Sequence, residues 1–111
     1  MIQSKISLIQ KAIEDKKGEN IEIFDVDKSS PFFTHVVVCT SLNKRAGEAI
    51  ADEIDRVCAS IDEQIKHIEG KNGAEWVLVD CGDILVHIFT EQERVRVNIE
   101  QLLARVSREN N

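Results

Sequence analysis

Apolar residues recur along the chain with two different periods. Ile2, Ile6, Ile9 and Ile13 return every three or four positions, the spacing that lines one side of an α-helix, and Lys16-Lys17-Gly18 then supplies a cationic last turn and a glycine stop. Residues 20–26, NIEIFDV, alternate as a strand does, and DKSSPF around Pro31 ends it. HVVVC, residues 35–39, is a β-branched run, the pattern of a strand covered on both faces. From Asn43 to Ala59 the helical period returns. Ala46, Ile50, Ile54, Val57 and Cys58 share one side, with acids and Arg56 opposite. QIKHIE, residues 64–69, reads as a weak edge strand, and Gly70 to Gly73 as a turn. Thr90-Glu91-Gln92-Glu93 fits a capping box, Thr90 bonding the third helical N–H and Glu93 reaching back. A last helix starts there, with Val95, Ile99, Leu102 and Val106 as its stripe.

The remaining segment, WVLVDCGDILVHIF at 76–89, predicts a hairpin. With Cys81-Gly82 as a two-residue tip, Asp80 faces Asp83, Val79 faces Ile84, Leu78 faces Leu85, Val77 faces Val86 and Trp76 faces His87. Val77, Val79, Ile84, Val86 and Ile88 then share a purely aliphatic face, which must be core. The other face carries Trp76, Leu78, Asp80, Asp83, Leu85, His87 and Phe89, grading from aromatic to acidic toward the turn. Two readings of that face stand. An apolar body rimmed by charge is the composition of a protein-binding patch, for which Trp is a favoured anchor. Alternatively a helix covers the face, and the two acids serve only the turn. Acids opposed across a hairpin repel, a penalty that a cationic partner would relieve.

The element order is αββαβββα, without repeats or linkers. The long connection through the second helix suits parallel strands and the tight turn suits antiparallel ones. The expected fold is α/β: a single domain over 1–107, a mixed β-sheet with packed helices, and a frayed tail at 108–111. A length of 111 residues suffices for one core without disulfides or a structural metal.

Composition narrows the function. A net charge of −6 argues against a protein that wraps a nucleic-acid backbone, so no DNA partner is expected, and it favours a basic protein partner or none. Cys39, Cys58 and Cys81 form no CxxC pair and are odd in number, so they read as reduced thiols. The N-terminus lacks the apolar region of a signal peptide, and no run is long enough to span a membrane, so the expected location is cytoplasmic with no membrane partner. Catalytic chemistry finds little support. Asp80 and Asp83 could converge on a metal ion, but no third ligand is evident, so neither a metal nor another cofactor is expected. His87 lies among apolar neighbours and reads as a core histidine rather than a base. No Ser or Cys nucleophile has an identifiable base. Lys44 and Arg45 sit at a helix N-terminus, where the macrodipole disfavours cations; no glycine-rich loop accompanies them, and a solvated pair is the simpler reading.

Two blocks carry a family resemblance. EWVLVDCGDILVHIF, followed by Arg94 and by Ile99-Glu100-Gln101-Leu102, resembles the ribosomal silencing factor (Iojap) family, whose pattern there runs roughly EWVLLDYGDVVVHIF. HVVVCTSLNKRAGEAIADEI is similar, without a gap, to the family's YFVIATGTSNRQVKAIADEV. Departures fall at Ser41-Leu42-Asn43-Lys44 for Gly-Thr-Ser-Asn, His35 and Cys81 for Tyr, Thr90 for His, Val97-Asn98 for Tyr-Asp and Leu103 for Trp. The resemblance implies a nucleotidyltransferase-like fold without that activity. It also implies a translational silencer that binds the fourteenth protein of the large ribosomal subunit and blocks joining of the small one; a homodimer is left open. The contacts it implies are Trp76, Leu78, Asp80, Asp83 and His87, with Arg94 nearby. A nucleotidyltransferase-like enzyme using Asp80 and Asp83 with Mg²⁺ stays as one alternative. A different partner, suggested by the changed loop at 41–44, is the other.

Overall fold

The computed structural model describes residues 2–110. The chain runs α1 (Ile2–Asp15), β1 (Glu19–Asp25), β2 (His35–Ser41), α2 (Lys44–Ser60), β3 (His67–Glu69), β4 (Trp76–Asp80), β5 (Ile84–Thr90), α3 (Glu91–Val97) and α4 (Ile99–Asn110). The strands form one sheet in the order β1-β2-β5-β4-β3. Its central pair, β2 with β5, is parallel and every other pair is antiparallel, which is the mixed sheet that the connection lengths predict. The side chains of residues 108–110, and all of Asn111, lie outside the described residues, so the expected fraying at 108–111 does too.

The two faces of the sheet have different covers. Under one, Ile6, Ile9 and Ile13 of α1 and Ile50, Ile54 and Cys58 of α2 interlock with Val37, Cys39, Val77, Val79, Ile84, Val86 and Ile88. Each fully buried aliphatic side chain there contributes roughly 1.5–3 kcal/mol. On the other face α4 lays Leu103 against Val36, Val38 and Phe89, with Val26, Phe24, Phe33, Ile99 and Val106 around them. β2 is thus buried on both sides, as its β-branched run predicts.

Four local expectations need correction. The hairpin turns on Gly82-Asp83 rather than on Cys81-Gly82: the Cys81 N–H donates to the Ile84 carbonyl at 2.9 Å, and Val79 pairs with Val86. Gly82 has φ +93°, and such backbone belongs at the first central position of a two-residue turn, where only glycine is at ease. The shift is by two residues along β5, so the strand residues of both faces keep their membership, while Asp83 leaves the mixed face for the turn and its carboxylate reaches Lys5 of α1. Asp80 pairs with Leu85, so the two acids are not opposed.

The last helix is two helices. Asn98 adopts a left-handed conformation (φ 48°) and its N–H donates to the Arg94 carbonyl, ending α3. The break rotates the stripe: Leu103 is buried, while Val95 and Leu102 are exposed. The capping box does not form either. Thr90 occupies the N-cap without a capping bond and donates to Glu75 Oε1, while Glu93 pairs with Arg96.

At the end of α1 the left-handed residue is Lys17 (φ 65°) rather than the glycine. Gly18 serves another purpose. Its N–H donates to the Ile13 carbonyl at 2.8 Å, and a Cβ there would lie 2.3 Å from Ile13 Cγ2.

Candidate docking surface

α4 packs chiefly over β1 and β2 and meets β5 through Leu103 on Phe89. Toward β4 the sheet is half open, and Trp76, Leu78, Asp80 and Leu85 are half-buried. Trp76 and Leu85 pack on the edge of the second cluster, around the fully buried Phe89. The Trp76 ring tilts at 34° against Phe89 with centroids 4.9 Å apart, and His87 stacks on Phe89 at 5.9 Å. The Trp76 indole N–H donates to His87 Nδ1 at 3.1 Å, so the polar end of the indole is held and its orientation set. Strand alternation extends the same face to His67 and Glu69, which pair with Asp80 and Leu78 across β3 and are exposed.

His87 is 6% exposed, and burial pushes its pKa down to about 4. It is a neutral imidazole whose Nδ1 accepts from Trp76, and it supports the anchor from behind. The core-histidine reading of the sequence therefore holds, and so in part does the reading that a helix covers this face.

Each acid at the turn has a defined task. Asp80 Oδ1 accepts the Gly82 N–H at 2.9 Å, shaping the turn. Asp83 Oδ1 meets the Lys5 ammonium at 2.9 Å, and the same nitrogen donates to the Cys81 carbonyl at 2.6 Å. Lys5 is 5% exposed. Burial pulls its pKa down, but the hydrogen bond and charge of Asp83 outweigh that, and the net shift is upward. The cation that relieves the acidic turn thus comes from α1. The sequence held a signal for it, since position 5 is three residues after Ile2 and four before Ile9, on the apolar stripe itself.

Arg94 is turned inward. Its guanidinium bonds the Asn20 carbonyl, Thr40 Oγ1, Glu22 and Glu100 at 2.6 to 2.8 Å, tying α3 and α4 to β1 and β2. Lys44 and Arg45 are exposed, and the N-terminus of α2 is capped by Asn43, whose Oδ1 accepts the Ala46 N–H at 2.8 Å. Among the described residues no group of three or more His, Cys, Asp or Glu is placed to hold a metal ion, and no helix is long and apolar enough to cross a membrane.

An α/β domain with one sheet face left half open carries there an oriented indole with acids near its rim, the composition of a protein-binding patch. Its family follows from comparison. The profile described as "Ribosomal silencing factor during starvation" matches residues 1–110. The chain is 34% identical over 100 residues to the ribosomal silencing factor RsfS of Bacillus subtilis, covering 90% of this chain and 85% of that protein. It is 33% identical over 100 residues to RsfS of Halalkalibacterium halodurans, covering 90% and 86%. A crystal structure of a Chromobacterium violaceum protein superposes with a TM-score of 0.90 at 33% identity, covering 94% of this chain and 87% of that one. The chain belongs to the ribosomal silencing factor family.

Proposed function

We propose that this chain is a ribosome-associated silencer. In this reading it docks on the fourteenth protein of the large subunit through Trp76, Leu78, Asp80 and Asp83, and so blocks small-subunit joining. The observation that carries the reading is the half-open sheet face with Trp76 held in one orientation by His87. An anchor ordered before binding loses little freedom on docking, which is what a hot-spot residue needs. The acidic chain, at net −6, is repelled by bare RNA and attracted by a basic ribosomal protein. His87 and Arg94 act from behind this surface, the first by fixing the indole and the second by holding α3 and α4.

Co-sedimentation with purified large subunits tests the proposal. Trp76→Ala should weaken binding by roughly 2 kcal/mol or more, about thirtyfold, in a chain whose circular dichroism shows it still folded. Binding that survives the change in a folded chain overturns the surface.

The nucleotidyltransferase-like alternative gains no support from the acids on which it relied, because Asp83 is paired with Lys5 and Asp80 is committed to the turn. Calorimetry with ATP, CTP and UTP plus Mg²⁺ should register no binding; heat that disappears in Asp80→Asn would restore the enzyme reading.

A further inference from the structure

At the end of the sheet beyond Trp76 the parallel strands β2 and β5 both finish, at Ser41 and Thr90. Leu42, the residue after β2, is 83% exposed, and Val95 of α3 is 75% exposed. Glu91 links them: it borders one depression with Leu42 and another with Val95, which lies one helical turn further along α3. Apolar residues exposed singly are ordinary. These two border a crevice. The part of about 570 Å³ next to Leu42 is lined by Asn43, Lys44, Glu75, Thr90 and Glu91, and an adjoining hollow adds Glu19. Crevices at the carboxyl ends of parallel strands are the usual ligand positions of open α/β sheets.

The crevice is continuous with the Trp76 face. Glu75 directly precedes Trp76; its carbonyl accepts the Thr90 N–H at 2.9 Å and its Oε1 the Thr90 hydroxyl at 3.3 Å. One wall is therefore the end of the β4–β5 ladder that carries the indole. The charge around it is mostly negative. Glu19 and Glu91 are exposed, and among the described residues neither carboxylate has a hydrogen-bond or ion-pair partner. With Glu75 they oppose the Lys44 ammonium, whereas Arg94, in the hollow beside Val95, is matched by Glu22 and Glu100. A nucleic-acid backbone is repelled by that balance. A cationic protein segment finds carboxylates for its charges and Leu42 and Val95 for an apolar side chain.

We propose that this crevice is a second docking site, which receives an extended lysine- or arginine-bearing segment of the same basic ribosomal protein that docks on Trp76. The inference rests on the silencer reading for the identity of that protein. The segment lays an apolar side chain over Leu42 and Val95 and pairs its cations with Glu19 and Glu91. Because both sites belong to one sheet, the second contact adds affinity without a second loss of rotational freedom.

The test is co-sedimentation of the full chain and its variants with purified large subunits, each variant first checked for folding by circular dichroism. Leu42→Ala should weaken binding about fivefold. Glu91→Lys should weaken it about tenfold, and more at low salt than at high. Glu19→Lys, which leaves α3 untouched, should act in the same direction and decides the point if Glu91→Lys disturbs the helix. Lys44→Glu should bind at least as tightly as the unaltered chain. Binding unchanged in all four, while Trp76→Ala still weakens it, overturns the crevice and leaves the Trp76 surface standing. Tighter binding by Glu91→Lys with weaker binding by Lys44→Glu assigns the crevice to RNA and likewise overturns the proposal. Subunits that fail to bind even the unaltered chain overturn the silencer reading, and the partner of the crevice with it.

Discussion

Trp76 and His87 are joined by one hydrogen bond in which the indole N–H donates to Nδ1 at 3.1 Å. The bond fixes the tautomer as well as the geometry: Nδ1 must be bare, so the ring proton sits on Nε2. A residue at the edge of the open face is thereby tied to the protonation state of one inside.

That tie has a pH signature. The folded His87 has its pKa near 4 against 6.5 unfolded. Between these values the unfolded chain binds more protons, so stability falls as pH drops from about 6.5 toward 4 and levels off below; the loss is about 3 kcal/mol. Urea unfolding of the unaltered chain and of His87→Gln at several pH values checks this. The variant should lack this component, and parallel pH curves would contradict a neutral buried imidazole.

Asp80→Asn should change rates more than folding. The amide oxygen can still accept the Gly82 N–H, so the turn survives. The lost rim charge should slow association with large subunits and flatten its dependence on salt, with dissociation nearly unchanged. Stopped-flow binding at two ionic strengths distinguishes this from a fall in affinity caused by faster release.

Lys5→Met should destabilise the chain although it adds an apolar side chain to an apolar stripe. It strips the Cys81 carbonyl of its donor and leaves Asp83 without its cation. Asp83 is 44% exposed at its side chain, which lets water compensate, so the cost should stay at about 1–2 kcal/mol. Denaturant midpoints with an unchanged slope are the measurement.

Arg94→Lys should cost more, roughly 2–4 kcal/mol, because an ammonium cannot reproduce a planar fork that serves Asn20, Thr40, Glu22 and Glu100 together. Glu100 Oε1 already lacks a partner, so its carboxylate has little to fall back on. Per folded molecule, binding to large subunits should be unaffected. A thermal melt alongside the sedimentation assay separates this from direct contact by Arg94.

Much of the fold is legible in spacing, and the failures share a cause. The β-branched run of β2, the stripe of α2 and the two hairpin faces follow from periods that burial enforces along many residues. The turn position, the break at Asn98 and the idle capping box each depend on one or two backbone angles, on which a hydrophobic pattern is silent. Sliding the hairpin by two leaves its alternation intact, so no face could report the error. The candidate surface was visible for the same reason, since Trp76, Leu78 and Asp80 fall on one side in either register. Lys5 was hidden because a cation on an apolar stripe ordinarily snorkels to solvent, and its carboxylate partner is 78 positions away. The inward network of Arg94 is hidden for a like reason, with Asn20, Glu22 and Thr40 lying far back in the chain.

The parallel pairing at the centre of the sheet also bears on how the chain assembles. Thr34, at the entry to β2, bonds the Asp83 carbonyl 49 positions away, whereas the β4–β5 hairpin closes over a two-residue turn. Helices and hairpin are local and cheap to nucleate, while the β2–β5 seam must bear the entropy of a long loop before any of its hydrogen bonds return. The seam should therefore form last. Trimming Val37 to Ala, at its middle, should speed unfolding far more than it slows refolding, whereas Val79→Ala in the hairpin should show a larger share of its effect in the refolding rate.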